Sequence, residues 1–252
     1  MLVDQPCARM TVHRRTPPDH RAAREQYRRR ANVYDLELSL FEPVRRRAVE
    51  RLALCPGDGV IDVGCGTGLS LPLLRNAVDA AGRIVGIEQC PEMIEKARQR
   101  VRQNGWNNIA LIDASAEDAR IALTADAALF HFTHDILREP RALDNVARNL
   151  RPGAHVVACG LQWAAAWAWP VNLFVLGAAR HSVTSLEGLD RPWSLLAEYL
   201  DDLQVDTAMA GAVFIASGTM RRKPDARHPQ SLNEPAQSPQ RTASGRSPAN
   251  AV

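Results

Sequence analysis

The stretch Val60-Ile-Asp-Val-Gly-Cys-Gly-Thr-Gly68 constrains this chain more than any other. Four residues, apolar apart from Asp62, lead straight into three glycines at alternate positions. A short strand followed by such a turn lets backbone approach a ligand closely, and a helix started there presents unpaired amides to it. This strand is the first unit of an alternation. Arg83–Ile87, Ile109–Ile112, Ala125–Phe130 and His155–Ala158 read as further strands, with Leu69–Val78, Pro91–Gln103 and Arg141–Leu150 as amphipathic helices between them. That order predicts an α/β fold, a mostly parallel sheet covered by helices on both faces. Leu203–Met209 and Ala212–Ser217, joined through Ala210-Gly211, predict a closing antiparallel hairpin.

One domain is expected over residues 21–220, with a cofactor-binding core at 55–160 and the hairpin at 203–219. Its N-terminal part, 21–54, reads as two helices: Arg21–Phe41, then a second from Pro43 through Leu54 with Val44, Ala48, Val49 and Leu52 on one face. Residues 1–20 form a basic arm and 221–252 a tail of Pro, Ser, Gln, Asn and Arg, both expected to be disordered. The segment 161–200 reads as a variable, lid-like insertion. Within it, Leu161–Ala179 carries no charge and holds Trp163, Trp167 and Trp169. Its length suits a membrane span, but Gln162, Pro170 and Asn172 interrupt it and it follows a buried strand. A substrate-covering lid, a membrane-touching face, or simple packing on the sheet edge are the readings that remain.

Five cysteines, Cys7, Cys55, Cys65, Cys90 and Cys159, show no metal-like pairing, so neither a disulfide framework nor a metal site is expected. A reducing, cytoplasmic setting suits them, and the polar, basic start has no apolar segment of a signal peptide. The net charge is only +3, yet arginines crowd 14–30, recur at Arg45–Arg47 and return after Met220. Such an arm is either a solvated surface or a site for phosphates and anionic lipid.

The glycine turn by itself serves many nucleotides. A dinucleotide fingerprint wants glycine at its first, third and sixth positions, whereas here the sixth is Leu69 and the third glycine is Gly68. Asp62, an acid just before the turn, disfavours pyrophosphate and tolerates a cofactor with a cationic amino-acid portion. Glu88 ends Ile84-Val-Gly-Ile-Glu88, where a carboxylate can accept from both hydroxyls of a ribose.

These residues resemble the class I S-adenosylmethionine-dependent methyltransferases, from about Tyr34 to Met220. Val60–Gly68 is similar to the family's first motif, Gly86-Ile-Glu-Gln-Cys-Pro-Glu-Met-Ile-Glu-Lys-Ala-Arg98 to its second cofactor element, and Leu150-Arg-Pro-Gly-Ala154 to the turn before its fifth strand. The resemblance implies a Rossmann-like three-layer sandwich with seven strands, the last antiparallel, and S-adenosyl-L-methionine as cofactor. It implies that Gly64, Cys65, Gly66 and Gly68, with Asp62, line the methionine and ribose part, and that Glu88 and Gln89 meet the ribose. Met93 would pack on the adenine and Asp113, with Ala114 beside it, would meet the exocyclic amine. For Asp113 the competing reading is a helix cap. Tyr34 resembles a tyrosine that closes over cofactor and substrate.

Methyl transfer from a sulfonium needs alignment and, for some acceptors, removal of a proton. The run Ala128-Leu-Phe-His-Phe-Thr-His-Asp135 ends the fourth strand on the ligand side of such a sheet. His131 and His134 are therefore the general-base candidates, with Asp135 to orient one of them. In the competing reading Phe130 and His131 only shape the pocket and Asp135 caps a helix. Ala31-Asn-Val-Tyr-Asp-Leu36 and Arg45-Arg-Arg-Ala-Val-Glu50 loosely resemble the branch holding ubiquinone/menaquinone and phospholipid methyltransferases. That branch implies a small or lipid-like acceptor, such as a lipid head group or quinone, met by peripheral membrane contact. The tryptophan-rich stretch would equally suit an aromatic natural product. No nucleic-acid partner is expected, since no RNA-binding module and no Asn/Asp-Pro-Pro-Tyr element is present. Outside this family, a nicotinamide oxidoreductase and a non-catalytic binding protein are the alternatives.

Overall fold

The computed structural model describes residues 41–165, 168–182 and 188–221. The predicted arm at 1–20, the first helix up to residue 40 with Tyr34, and the tail from 222 lie outside them. Thirteen main elements follow in order: α1 (Glu42–Arg51), β1 (Gly59–Val63), α2 (Leu71–Val78), β2 (Arg83–Glu88), α3 (Pro91–Gln103), β3 (Ile109–Asp113), β4 (Ala125–His131), α4 (His134–Leu137), α5 (Pro140–Arg148), β5 (Leu150–Leu161), α6 (Trp169–Ser182), β6 (Leu200–Ala208) and β7 (Val213–Met220).

The sheet order is β3-β2-β1-β4-β5-β7-β6. β1 to β5 run parallel, and β7 inserts antiparallel between β5 and β6. This is the seven-stranded, mostly parallel Rossmann-like sandwich with an antiparallel last strand. All five residues of β1 are buried, because helices cover both faces. On one face α1, α2 and Val175 of α6 pack on Val60, Leu129, Val157 and Ile215. On the other, α4 and α5 contribute Leu137, Ala142, Leu143 and Val146 against Ile61, Ala128 and Val156.

Local chemistry sets the helix starts. α1, α2, α3 and α5 each carry proline in their first two positions, where its missing N–H costs no hydrogen bond. α1 and α3 also open on Glu42 and Glu92 and close on arginines, matching the helix dipole.

Three boundaries differ from the sequence reading. α2 begins at Leu71, not Leu69, because Gly68 and the turn after it still bond locally. Pro152-Gly153 does not close a helix but lies inside β5, where the pairing jumps from Ala125↔Leu150 to Ala127↔His155 across a bulge. The uncharged Leu161–Ala179 is no single element: Leu161 ends β5, the described residues 162–165 are neither helix nor strand, and α6 begins at Trp169. Among the described residues no helix is long and apolar enough to cross a membrane. Order also runs to Arg221, whose guanidinium donates to the carbonyls of Leu200 and Glu198 at 3.1 and 2.7 Å.

Candidate functional site

From β1 the chain moves outward to β2 and β3 on one side, and β4 and β5 extend the other way. The carboxyl ends of β1 and β4 are therefore neighbours at a switch in strand order, with Val63 beside Phe130. Such a switch leaves a crevice uncovered by crossover connections. A cleft of about 700 Å³ opens there, lined by Gly64, Gly66, Glu88, Gln89, Met93, Ala114 and the run from His131 to Ile136. A broader depression at the opposite ends of β2 and β3 has Arg83 as its only charged lining residue.

Glu88 anchors the cleft. It is buried, and its carboxylate accepts from the backbone N–H of Gly66 at 3.0 Å and of Cys90 at 2.8 Å. The end of β2 is thereby tied both to the glycine turn and to the start of α3. Burial pushes its carboxyl above the usual range, opposed by these backbone donors. Backbone donors of Gly66, Cys90 and Gln89 take up to three of the carboxylate's roughly four lone-pair sites, leaving some acceptor capacity toward the cleft. Gly64, Gly66 and Gly68 all have positive φ. Met93 and Ala114 line the cleft beside Gln89, whose Oε1 is buried without a partner.

A second, smaller cavity of about 290 Å³ adjoins the turn and shares Gly64, Gly66 and His131 with the cleft. Its other lining includes Asp62, Cys65 and Arg45, the last from α1. Asp62 Oδ2, His131 Nε2 and Arg45 Nε and Nη2 are buried without hydrogen-bond partners. Unpaired buried polar atoms cost free energy that only a ligand or water recovers. Burial pushes Asp62 up to about 7, against the pull of Arg45. His131 is pushed down to about 3, chiefly by burial and then by the Arg45 charge, so it is a neutral ring with a free lone pair.

The other sequence candidates part company here. His134 lines the cleft, but its ring is pinned: Nε2 donates to the carbonyl of Leu161 at 2.8 Å. A side chain at Gly160 would stand 2.6 Å from its Cε1, so the ring rests directly on β5 and holds the loop after β4 in place. Phe130 is in the core beneath the sheet, and Phe132, two residues on, faces the cleft instead. His131 stands beside Phe132, their ring centroids 4.9 Å apart. Gly68 does not line either cavity. A Cβ there would meet Leu71 at 2.7 Å and Ala97 at 3.2 Å, so it is small for packing between the turn and α3. Asp113 is exposed at the end of β3 with Arg98 3.6 Å away, outside the cleft and with no helix after it to cap. Thr133 and Arg45 are among the lining residues that the sequence reading did not single out. Only the position of Arg45 next to the apolar face of α1 hinted at the second.

Known proteins share these features. A family profile described as a methyltransferase domain matches residues 60–153, the span from the glycine turn to the bulge in β5. Aklanonic acid methyltransferase from a Streptomyces species is 36% identical over 88 residues, 34% of this chain and 40% of that protein. Residues 60–153 are a methyltransferase domain of the S-adenosylmethionine-dependent kind. A phosphatidylethanolamine N-methyltransferase of Cereibacter sphaeroides is 31% identical over 140 residues, 54% of this chain and 66% of that one. The chain spans less than half the length of several curated relatives it matches. The N-methyltransferase NodS from Bradyrhizobium japonicum WM9, solved with S-adenosyl-L-homocysteine, shares the fold at TM-score 0.53 and 20% identity, over 72% of this chain and 88% of that one.

S-adenosylmethionine is the cofactor of this family, and the two joined cavities suit it. The long cleft is lined by Glu88, which keeps acceptor capacity of the kind ribose hydroxyls need, and by Met93 and Ala114 as apolar walls. The small one offers Asp62 to an ammonium. The state of Asp62 carries a pH prediction. A carboxyl raised from 3.8 to about 7 contributes stability at low pH that is lost as pH rises toward 7, where the folded chain must ionise it in place. Asp62→Asn cannot titrate, so its stability is expected to gain on that of the wild type between pH 5 and pH 8. Urea midpoints of both proteins across that range check it, the histidines cancelling in the comparison. An unchanged difference would show that Asp62 does not titrate there.

Proposed function

We propose that the protein transfers the methyl group of S-adenosylmethionine to a small or amphipathic acceptor, such as a lipid head group or quinone. The cofactor supplies an already activated methyl on a sulfonium; the chain supplies alignment and a proton acceptor. Of the two histidines His131 offers an unpartnered Nε2 where the two cavities meet, suited to accepting a hydrogen bond from the acceptor although burial makes it a weak base, whereas His134 acts by holding the loop.

The observation that carries the amphipathic acceptor is the exposed apolar face of α6. Trp169 is 69% and Leu173 63% exposed, one helical turn apart on the helix that follows β5. Tryptophan beside an aliphatic side chain at a surface is the composition of an interfacial contact. The phosphatidylethanolamine-methylating relative supports the same reading. An aromatic natural product is the second reading, supported by the aklanonic acid enzyme and by Phe132 and Ile136 in the cleft wall.

Incubating the full chain with methyl-labelled cofactor and separated lipid and polar cell extracts tests this. Label is expected in the lipid fraction. Label confined to water-soluble aromatic products would favour the second reading, and no transfer to any fraction alongside tight cofactor binding would favour a non-catalytic binding protein.

A further inference from the structure

We propose that the start of α6 and the turn between β6 and β7 form one apolar face that docks on an anionic lipid bilayer; this rests on the amphipathic-acceptor reading above and gives it a second element and a partner.

Trp169 and Leu173 on α6 do not stand alone. Met209, 40% exposed, opens the turn Met209–Gly211 between β6 and β7. Residues 162–164 hold the two elements together. Asn172, next to Leu173 on α6, accepts from the backbone N–H of Ala164 at 2.8 Å and donates to its carbonyl at 3.2 Å. Gln162 is buried and donates from its side chain to the carbonyl of Gly211 at 3.0 Å, while its backbone N–H donates to the carbonyl of Ala212 at 2.9 Å. A Cβ on Gly211 would stand 3.4 Å from the Cβ of Ala164. The two polar residues that interrupt the uncharged run therefore fix α6 and the turn to one ledge.

The turn is strained. Met209 and Ala210 have φ of +50° and +55°, a left-handed conformation that residues with a Cβ rarely adopt in succession. Tight hairpin turns with such angles favour asparagine and glycine, which solvate well. Here the strained position instead carries an exposed methionine, which water does not reward.

The chemistry around the face selects the partner. No charged residue occurs in 161–179 or in 207–220, so the centre of the face is apolar. Its edge is basic. Asp206, three residues before Met209 on β6, is shared by Arg51 and by Arg47 at 3.4 Å, both from α1, so two cations meet one carboxylate. Arg47 is 46% exposed. Tryptophan, leucine and methionine with arginine at the margin complement the interface of an anionic bilayer, where the apolar side chains enter the head-group boundary and the cations meet phosphates.

Sedimentation of the full chain with phosphatidylcholine vesicles, with and without phosphatidylglycerol, tests this. Binding to the vesicles with phosphatidylglycerol is expected. Trp169→Ser should weaken it by about tenfold and Met209→Ser by about fivefold, because each withholds apolar area from the bilayer. Arg47→Gln should weaken it by about fivefold, and added salt should lower binding of the wild type. Calorimetry with S-adenosylhomocysteine should show all three variants binding as the wild type does, which separates loss of the face from misfolding. No binding to either vesicle would overturn the proposal, as would binding that Met209→Ser leaves unchanged. A wild-type dimer in light scattering that Trp169→Ser and Met209→Ser dissociate would give the face to a second copy of the chain and overturn it too. The transfer assay above is read separately: label confined to water-soluble products would remove the lipid acceptor, while vesicle binding that depends on Trp169 and Met209 would still uphold the docking face.

Discussion

Glu88→Ala is expected to abolish measurable S-adenosylhomocysteine binding, a loss of at least about 100-fold, because two charge-assisted hydrogen bonds to the ribose are worth about 1.5–3 kcal/mol each. The same change should lower stability. Without the carboxylate, the amides of Gly66 and Cys90 lose their acceptors in a site that is 8% exposed. Leaving two buried donors unmet costs about 2–5 kcal/mol. Calorimetry with S-adenosylhomocysteine and urea unfolding read the two effects separately. Binding within about tenfold of wild type would show that the ribose is held elsewhere.

The second large effect is expected at Gly64. Its φ is +68°, a conformation that L side chains rarely adopt, and a Cβ there would stand 2.5 Å from Thr133 Cγ2 and 3.1 Å from Ile136 Cδ1. Thr133 is β-branched and cannot rotate clear, so the loop that forms one wall of the cleft must shift. Gly64→Val should therefore cost about 2–4 kcal/mol, combining backbone strain with overpacking, and should close the cleft to S-adenosylhomocysteine. Gly105 is the control. Its φ is +63° and a Cβ there meets nothing within 4 Å, so Gly105→Ala carries strain alone, about 1 kcal/mol, with binding intact. Equal effects at the two glycines would show that contact with Thr133 is unimportant.

Much of the fold was legible because its elements are strongly periodic and well punctuated. α3 begins at Pro91 and ends at Gln103 as the sequence reading placed it, between a proline start and Asn104-Gly105. The hairpin at the C-terminus was visible as two β-rich runs around Ala210-Gly211, although β6 begins three residues earlier, at Leu200. The Leu150–Ala154 run misled because Pro-Gly usually ends an element, whereas here β5 tolerates it through a bulge.

The site was legible only in part. A strand-end carboxylate and glycines before a helix are local signals, so Glu88, Gly64 and Gly66 could be found from spacing. Phe130 and Phe132 differ by two residues, and whether the chain keeps its alternation past the end of β4 is not a local matter. Phe132 has a φ of +58°, a left-handed residue just after the strand that turns its ring toward the cleft. Nor does spacing distinguish His131 from His134. That difference lies in what stands opposite: Leu161 and Gly160 on β5 for His134, and an open junction of two cavities for His131.

The sequence by itself determined the parallel α/β alternation, the antiparallel close, and the nucleoside end of the site, because each is written within about a dozen neighbouring residues. The tertiary structure alone decided the amino-acid end of the site and which histidine is free. Arg45 stands in α1 and Asp62 inside β1, and they enter one cavity because α1 packs on the face of the sheet that carries Val60 and Leu129. Long-range packing of an amphipathic helix, not any motif, places a charge there.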